Sequence, residues 1–465
     1  MFKKLLIYII LYALTIWIIL SVFLLIPEEG NNFPFLRLII IMFASTLLIK
    51  YFIYMVVSPW HDVSVARIDR RSREVLAKNK NYQQYQPLVS VLVPAWNEEN
   101  GILVTLNSLL DSTYKNLEII VIDNASTDNT KMNVRRLIRN YRIKTSTEKK
   151  GIKIIYIEER TQGKGHALNK GIAKAKGDII VSIDADCFVP PSTMQNFVKY
   201  FELPNVMAAV GNVKIGSTNT LIEIVQYLEF LFSFYFKKCD SIMNSIYIIG
   251  GAAGAFRKEV FQKLGGYDVK NITEDIELSF RIQHAGMKIV YAEDAIVYTE
   301  GATDFNGLIK QRLRWKRGRL ETFMNYRQMF FSSKRKHKKL LSWFILPLAV
   351  FGDLQLFLEL FFLIFVYIYS YLTSDYSSFI SGIIVVNSMF IVQIFFDIRS
   401  KKNLKLLFLA PIGWLLFYAS TFVEFSALIR TIFGYLRKEQ VQWQKWTRKG
   451  VFSNKVKEGA MSTKN

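Results

Sequence analysis

Long apolar runs constrain this chain more than any other feature of its sequence. Residues 5–26 form an uncharged apolar run, and residues 36–57 form a second one, interrupted mainly by Arg37 and Lys50 near its ends. Each run meets the roughly 20 residues that an α-helix needs to cross the ~30 Å hydrocarbon core of a bilayer. The first run is too long for a typical signal peptide and lacks a cleavage motif. We therefore expect residues 1–60 to hold two retained transmembrane helices.

Basic residues near these runs predict which side of the membrane the rest of the chain occupies. Lys and Arg lie at the outer ends of the two runs, at Lys3, Lys4, Lys50, Arg67, Arg70, Arg71 and Arg73. The link between the runs has neither residue type. Because cytoplasmic flanks of spans collect Lys and Arg, everything after residue 58 is expected in the cytosol. The sequence thus predicts a multi-pass protein of a bacterial-type plasma membrane, with residues 61–87 as a cytosolic linker.

The charge and apolar content of the whole chain favour a membrane protein over other classes. Lys and Arg number 60 and Asp and Glu 38, which gives a net charge of +22 beside a hydrophobic fraction of 51%. That fraction is too high for a disordered chain. Nucleic-acid binding would explain the charge but not the apolar runs, so no nucleic-acid partner is predicted. The two cysteines and four scattered histidines favour neither a disulfide scaffold nor a zinc site.

Residues 88–300 have a different pattern, in which short β-branched runs alternate with helical stretches. Strands are predicted at residues 88–93, 118–122, 153–157, 178–183, 207–213 and 288–291. Helices are predicted at residues 102–110, 128–141 and 165–176. This alternation predicts an α/β domain with an open, mainly parallel sheet. Such sheets bind ligands beyond the carboxyl ends of their strands.

The C-terminal third returns to membrane-like composition. Cations interleaved with large apolar residues in residues 301–340 suit amphipathic helices in the membrane interface. Transmembrane helices are then predicted within residues 341–434, in the apolar runs 341–372, 379–396 and 406–433.

The basic tail, residues 435–465, leaves the topology open. Five spans that start in the cytosol would place this tail outside, yet its basic residues favour the cytosol. Either residues 406–433, with Pro411 and Gly413 early in the run, bend back as a hairpin, or an earlier run splits in two.

Four acidic or aromatic motifs follow one another along the chain: Asp123, Asp184-Ala-Asp186, Thr273-Glu-Asp275 and Gln311-Arg-Leu-Arg-Trp315. Asp123 ends a predicted strand, where a carboxylate serves equally as a turn former or as a ligand-binding group. Asp184 and Asp186 end another strand, without cationic neighbours in the sequence. Two such carboxylates repel each other unless a cation bridges them, and oxygen ligands suit Mg²⁺ or Mn²⁺.

The remaining motifs have a structural as well as a functional interpretation. Thr273 is a good N-cap for a helix that runs to Gly286, which explains Thr273 but not Asp275. The helix dipole would stabilise Asp275 as a carboxylate in the first turn. Residues 311–315 suit either a cationic amphipathic helix or a site that grips a diphosphate and stacks on a sugar ring. Lys164 likewise has two interpretations, as a solvated surface residue or as a group that contacts a phosphate.

In this order, on an α/β scaffold between membrane runs, the motifs resemble the processive inverting glycosyltransferases of family 2. The resemblance covers about residues 88–330 and is greatest to the poly-N-acetylglucosamine synthases; hyaluronan, chitin and cellulose synthases are related. It implies a Rossmann-like GT-A fold for residues 88–300, Mg²⁺ or Mn²⁺ as cofactor, a UDP-sugar donor and a growing polysaccharide acceptor in a lipid bilayer.

The resemblance also implies a role for each motif residue. The donor would contact Pro94, Asn97, Glu98, Asp123, Lys164, Asp184 and Asp186, of which Asp184 and Asp186 would hold the metal. Asp275 would be the general base. The acceptor or product would contact Gly251, Glu274, Gln311, Arg312, Arg314 and Trp315. Trp446 and Arg448 resemble a tail motif that closes over the diphosphate. Asn124 departs from the family, which often has a second aspartate there.

The implied activity is polymerisation of β-linked N-acetylglucosamine from UDP-GlcNAc, with extrusion of the polymer through the chain's own membrane channel. By the same resemblance a small membrane accessory subunit is a candidate partner. Three alternatives stay open: a hyaluronan or other exopolysaccharide synthase, a non-processive transferase that glycosylates a lipid, and an inactive membrane scaffold.

Overall fold

The computed structural model describes residues 35, 53, 54, 56–78, 85–145, 152–374, 376–398 and 403–437. The first predicted span, most of the second, and the tail with Trp446 and Arg448 lie outside the described residues. The predicted linker is largely helical, because α1 (Pro59–Lys78) occupies most of it.

A seven-stranded sheet forms the centre of the α/β domain. Its strands are β1 (Val89–Ala95), β2 (Leu117–Asn124), β3 (Lys153–Glu159), β4 (Ile179–Ser182), β5 (Val206–Ile215), β6 (Gly254–Arg257) and β7 (Lys288–Thr299). The order across the sheet is β3-β2-β1-β4-β6-β5-β7. Only β6 pairs in antiparallel fashion, with β4 and β5, so the predicted mainly parallel sheet is confirmed.

Helices cover both faces of the sheet. They are α2 (Ile102–Leu110), α3 (Thr130–Thr145), α4 (Lys164–Lys174), α5 (Thr193–Tyr200), α7 (Lys258–Leu264) and α8 (Glu274–His284). In β1, Val91 and Val93 face a core formed with α2, α3 and α5, whereas Leu92 faces a second core with α4, α7 and α8. Because both faces are buried, the strands are continuous Val- and Ile-rich runs rather than alternating ones.

The remaining long helices include one inserted between β5 and β6 and several that follow the domain in sequence. They are α6 (Leu221–Ile242), α9 (Phe305–Asn325), α10 (Leu346–Thr373), α11 (Ser377–Phe396) and α12 (Gly413–Leu436). A π-helical turn, Leu341–Ile345, leads into α10, and a 3₁₀ helix, Leu404–Ile412, leads into α12. The helix changes from 3₁₀ to α between Ile412 and Gly413, directly after Pro411.

Within the part of the chain that the structure describes, two continuous helical segments are long and apolar enough to cross a membrane, Leu341–Thr373 and Leu404–Leu436, with 33 residues each. A shorter apolar helix, Gly382–Phe396, lies between them in sequence. Helix α6 packs against this region, where Leu231 belongs to one buried apolar cluster with Phe390 and Leu406. The α/β domain is therefore joined to the apolar helices through α6 as well as through α9, which packs along α12.

Candidate active site

A cavity of about 810 Å³ opens at the carboxyl ends of the parallel strands and continues between α6, α9 and α12. The sequence-predicted residues in its wall are Pro94, Glu98, Lys164, Asp184, Asp186, Gly251, Glu274, Asp275, Gln311, Arg312, Arg314 and Trp315. Asn97 and Asp123 are absent from the described lining. The fold thus brings the donor-side and acceptor-side motifs to one space, although they come from distant parts of the chain.

Asp123 and Asn97 connect the loops beside this cavity. Asp123, buried at the end of β2, accepts hydrogen bonds from the Tyr156 hydroxyl at 2.7 Å and from the Ser126 backbone N–H at 3.0 Å. Asn97 has a positive φ of 53°, which asparagine tolerates better than most residues. Its Oδ1 accepts the backbone N–H of Thr127 at 2.7 Å. Both side chains therefore fix the loop that follows β2.

Asn124 is a positioning residue that sequence reasoning missed. Its Oδ1 accepts the Gly163 N–H at 2.7 Å, and its Nδ2 donates to the Thr161 carbonyl at 2.7 Å. This loop leads directly into Lys164, the first residue of α4. An ionised aspartate could accept from Gly163 but could not donate to Thr161. The departure from the family pattern therefore has a structural reason: the Asn124 amide can bind both the Thr161 carbonyl and the Gly163 N–H of the loop before α4.

Lys164 brings a cation to the Asp184–Asp186 pair, which has no basic neighbour in the sequence. Its Nζ lies 2.5 Å from Asp184 Oδ1 and 3.8 Å from Glu274 Oε1. Burial disfavours the charged ammonium, but Asp184, Glu274 and Asp275 together raise the pKa of Lys164 above its usual value. The contact joins residues distant in the sequence, because α4 begins at the carboxyl edge of the sheet where β4 ends.

Gly251 provides the space in which this cation approaches the predicted base. A Cβ atom at Gly251 would lie 2.6 Å from Lys164 Nζ and 3.3 Å from Asp275 Oδ2. The Gly251 backbone N–H donates to Asp275 Oδ2 at 2.8 Å. Gly251 therefore contacts both charged groups, and a larger residue would have to move Lys164 away from its present position.

Thr273 stands at the N-cap position of α8, as predicted, but its side chain does not cap the helix. The Thr273 hydroxyl donates instead to Asn271 Oδ1 at 3.2 Å. The physical reason is the close approach of α9: a Cβ atom at Gly318 would lie 2.0 Å from Thr273 Oγ1. Thr273 is therefore part of the contact between α8 and α9.

Glu274 is the second carboxylate at the start of α8. Burial raises its pKa, Lys164 lowers it and the neighbouring Asp275 raises it, so that the pKa of Glu274 is about 7. Arg314 also lowers this pKa, which places its charge near the carboxylate. Glu274 therefore takes up a proton close to neutral pH.

The aromatic motif lies on α9, at the other end of the cavity. The Arg312 guanidinium lies over the Trp315 ring, 4.2 Å from its centroid, and Phe230 of α6 lies 6.5 Å from the same ring. Arg312 is 1% exposed and donates to Glu229 Oε2 at 2.8 Å. Both Trp315 and Arg312 line the cavity, and the Arg312 guanidinium is bound by protein carboxylates.

Asp184 and Asp186 provide a donor set that fits a hard divalent cation. Their carboxylates line the same cavity, and Mg²⁺ characteristically binds one or two carboxylates while keeping waters and substrate phosphates as further ligands. A second cluster, His61, Asp62 and Glu293, also offers closely spaced ligand atoms. There the Lys238 ammonium already contacts Asp62 at 3.0 Å and Glu293 at 2.6 Å, so that cluster is an ion-pair network between α1, α6 and β7.

Known proteins resemble this chain in sequence and in structure. The chain is 29% identical to the probable glycosyltransferase YdaM of Bacillus subtilis over 342 residues, which are 71% of each chain. It is 29% identical to poly-beta-1,6-N-acetyl-D-glucosamine synthase of Staphylococcus aureus over 251 residues, and spans 58% of that synthase's length. A mannosyltransferase of Pyrobaculum calidifontis, solved with GDP-Man and Mn²⁺, is 21% identical with a TM-score of 0.49, covering 83% of this chain and 99% of the other.

Two family models also match. The model described as glycosyl transferase family 2 matches residues 90–265, which contain the donor-side motifs. The model described as glycosyl transferase family group 2 matches residues 179–422, from β4 to within α12. This second match spans more than half of the chain and includes Asp184, Asp275 and Trp315. The chain therefore belongs to the family 2 glycosyltransferases, and its α/β domain has their GT-A fold.

Proposed function

We propose that this chain is a membrane-bound inverting transferase that extends a β-linked polysaccharide from a UDP-sugar. The observation that carries the proposal is the single cavity that holds the donor-side carboxylates, Asp275 and Trp315. UDP-GlcNAc is the proposed donor, because a poly-N-acetylglucosamine synthase is among the relatives. We further propose that the polymer grows into a channel between the apolar helices and that the catalytic domain lies in the cytosol. A small accessory subunit is the proposed partner.

Asp275 is the proposed catalytic base. Its carboxylate lies in the cavity, and the Gly251 N–H holds Oδ2 from one side. Asp275 accepts the proton of the acceptor hydroxyl while that oxygen bonds to the anomeric carbon of the donor. The bond from this carbon to the diphosphate breaks, and UDP leaves on the opposite face. One such displacement converts an α-linked donor into a β-glycoside, with deprotonation concerted with attack.

The donor-side residues neutralise the diphosphate in this proposal. Asp184 and Asp186 would hold Mg²⁺ or Mn²⁺, which would offset the charge of the leaving UDP. Lys164 and Arg314 add positive charge from the protein. Pro94 and Glu98 line the part of the cavity proposed for the nucleotide. Asn97 and Asp123 hold the loop after β2 beside it. Trp446 and Arg448 are proposed to close over the diphosphate from the tail.

The acceptor is proposed to occupy the far end of the cavity. Trp315 offers its apolar ring face to the newest sugar, next to Phe230. Gln311, Arg314 and Glu274 supply polar groups to the sugar hydroxyls around it. This arrangement suits an elongated acceptor, because the wall of the cavity includes Glu424 of α12 as well as Trp315.

The test is product formation by the full chain in lipid nanodiscs with Mg²⁺ or Mn²⁺. UDP-GlcNAc, UDP-Glc, UDP-GlcA and UDP-Gal are supplied singly and in pairs, and product size is measured by gel filtration. We expect high-molecular-weight product from UDP-GlcNAc alone. Product that requires UDP-GlcA would contradict the proposed donor and favour a hyaluronan synthase. Transfer of one sugar to a lipid would contradict polymerisation.

A further inference from the structure

Helix α9 carries three cationic side chains that pair with acids from three other long helices. The cations are four and three residues apart, so they lie on one face of α9. They are Arg312, Lys316 and Arg319. Their partners are Glu229 of α6, Asp353 of α10 and Glu424 of α12.

These six groups form one ion-pair network. The N···O distances are Arg312–Glu229 2.8 Å, Arg312–Glu424 3.0 Å, Lys316–Glu424 2.7 Å, Lys316–Asp353 3.3 Å and Arg319–Asp353 2.5 Å. Helices α10 and α12 belong to the segments that are apolar enough to cross a bilayer. A carboxylate in such a helix is costly and characteristically marks a functional contact with a named partner. The three carboxylates offset the three positive charges, so ion pairs hold α9 against α6, α10 and α12.

Arg312 is the member of the network that reaches the aromatic motif. Its guanidinium has protein groups on three edges: Nη2 donates to Glu229, Nη1 donates to Gln311 Oε1 at 3.1 Å, and Nε lies 3.0 Å from Glu424 Oε1 in an ion pair without hydrogen-bond geometry. Since the guanidinium is planar, partners on three edges fix the orientation of its face. That face lies over the Trp315 ring. A stacked guanidinium and indole constrain each other's tilt.

We propose that Glu229 and Glu424 are positioning residues for the acceptor sugar, because they clamp Arg312 and thereby set the orientation of the Trp315 ring. This inference rests on the proposed function, since it takes Trp315 to be the sugar platform. Both carboxylates line the cavity, whereas Asp353, which serves Lys316 and Arg319, is absent from the described lining. The network therefore contains a matched control for the loss of one carboxylate.

The first test compares Glu229→Gln and Glu424→Gln with Asp353→Asn in nanodiscs. With a short oligosaccharide acceptor and saturating donor, we expect each Gln variant to raise the acceptor KM about tenfold, as expected for coupled neighbours. The Kd for UDP should stay at the wild-type value, because the donor-side carboxylates are untouched. Asp353→Asn removes a carboxylate from the same network but should leave the acceptor KM unchanged.

A double-mutant cycle separates positioning from general structural damage. If Glu424 acts through Trp315, Glu424→Gln should have little further effect on the acceptor KM in a Trp315→Ala background. Arg312→Lys keeps the buried positive charge but loses the planar stack, and it should reproduce the effect of Glu229→Gln. Additive effects of Glu424→Gln and Trp315→Ala, or an equal KM change in Asp353→Asn, would overturn the inference.

A spectroscopic measurement tests the same point without enzymatic turnover. The chain has eight tryptophans, so the ¹⁹F resonance of Trp315 in fluorotryptophan-labelled protein is identified by its loss in Trp315→Phe. We expect Glu424→Gln and Arg312→Lys to shift this resonance and Asp353→Asn to leave it in place. An unshifted resonance in both variants would overturn the inference. Wild-type protein that transfers no sugar, with the expected shifts present, would instead count against the proposed function alone.

Discussion

The ammonium of Lys164 lies between carboxylates from the two halves of the cavity, Asp184 on the donor side and Glu274 on the acceptor side. Asp184 is also one of the two residues proposed to hold the metal. On that proposal, a metal ion and Lys164 would compete for the Asp184 carboxylate, and the negative charge of an arriving diphosphate would relieve the competition. We therefore expect metal binding to depend on the nucleotide.

Lys164→Met tests this competition at the level of one residue. Removal of the ammonium should tighten the binding of Mn²⁺ alone about tenfold, because Asp184 loses its close counter-charge. The Mn²⁺-dependent affinity for UDP should fall, since one positive charge facing the diphosphate is lost. Titration by electron paramagnetic resonance measures both. Lys170→Met is the matched control, because Lys170 lies on the same helix but pairs with Glu159. Unchanged or weaker binding of Mn²⁺ alone would refute the competition.

Glu274 should make the stability of the protein depend on pH. Its folded-state pKa of about 7 lies above the usual value of 4.5, so the folded state holds the proton more tightly than the unfolded state. Stability from this group is therefore present below pH 4.5 and is lost as the pH rises through about 7. Relative to Glu274→Gln, the wild type should lose thermal stability across this window and change little above it. Melting curves of both proteins check this, and parallel curves would contradict it.

At this scale the sequence predicted which residues meet but not how each is used. Asp184, Asp186 and Asp275 line one cavity because the motif order placed them at strand and helix ends on one edge of the sheet. The double hydrogen bond of Asn124 and the contact of Lys164 with Asp184 could not be predicted, because they depend on side-chain directions across loops. Sequence spacing carries no information on those directions.

The packing of α8 against α9 positions Asp275 of α8 relative to Trp315 of α9. Asn271, just before α8, donates to Thr322 Oγ1 of α9 at 3.1 Å, and the Tyr326 hydroxyl donates to Glu277 at 2.6 Å. One turn before Thr322, Gly318 lets α9 approach Thr273 closely. These two hydrogen bonds and this close approach therefore hold α8, which carries the proposed base, against α9, which carries the proposed sugar platform.

Gly318→Ala should separate these two helices. The added methyl group would overlap Thr273, and forced overpacking of this kind costs about 1–3 kcal/mol. We expect a lower melting temperature and a fall in kcat, because the base moves relative to the acceptor. The control is Gly382→Ala in α11, where a Cβ atom meets nothing within 4 Å. Equal melting temperatures and equal kcat in the two variants would contradict the proposed helix contact.

Most elements of the sheet were predictable, and the exceptions have physical reasons. The parallel strands, including the four-residue β4, are rich in β-branched residues, whereas β6 is Gly-Ala-Phe-Arg and has none, which is why it was missed. Helix α6 was also missed, although Thr220 and Glu223 form a capping box directly before its apolar run. That signal could have identified α6, the helix that carries Glu229 into the cavity wall.

At the scale of the whole molecule, the cavity joins the α/β domain to the apolar helices. The sequence predicted both parts and their order along the chain. It could not predict that acids within the apolar helices would pair with the cations of α9, because that pairing depends on how the helices pack. The expected amphipathic segment is one helix, α9, whose cations on this face contact protein carboxylates. The cavity between the α/β domain and the apolar helices is the basis for proposing that synthesis and export of the polymer are coupled.

The most direct measurement of the central claim uses Asp275→Asn in the full chain. This variant keeps the shape of the side chain but cannot accept the acceptor's proton, and loss of a general base characteristically costs about 10²–10⁴-fold in rate. We predict wild-type affinity for UDP with Mn²⁺, a wild-type melting temperature, and sugar transfer reduced by this factor. Asp111→Asn, an exposed substitution at the end of α2, should retain full activity. Wild-type transfer by Asp275→Asn would contradict the assignment of the base, and with it the account of the cavity as the site of glycosyl transfer.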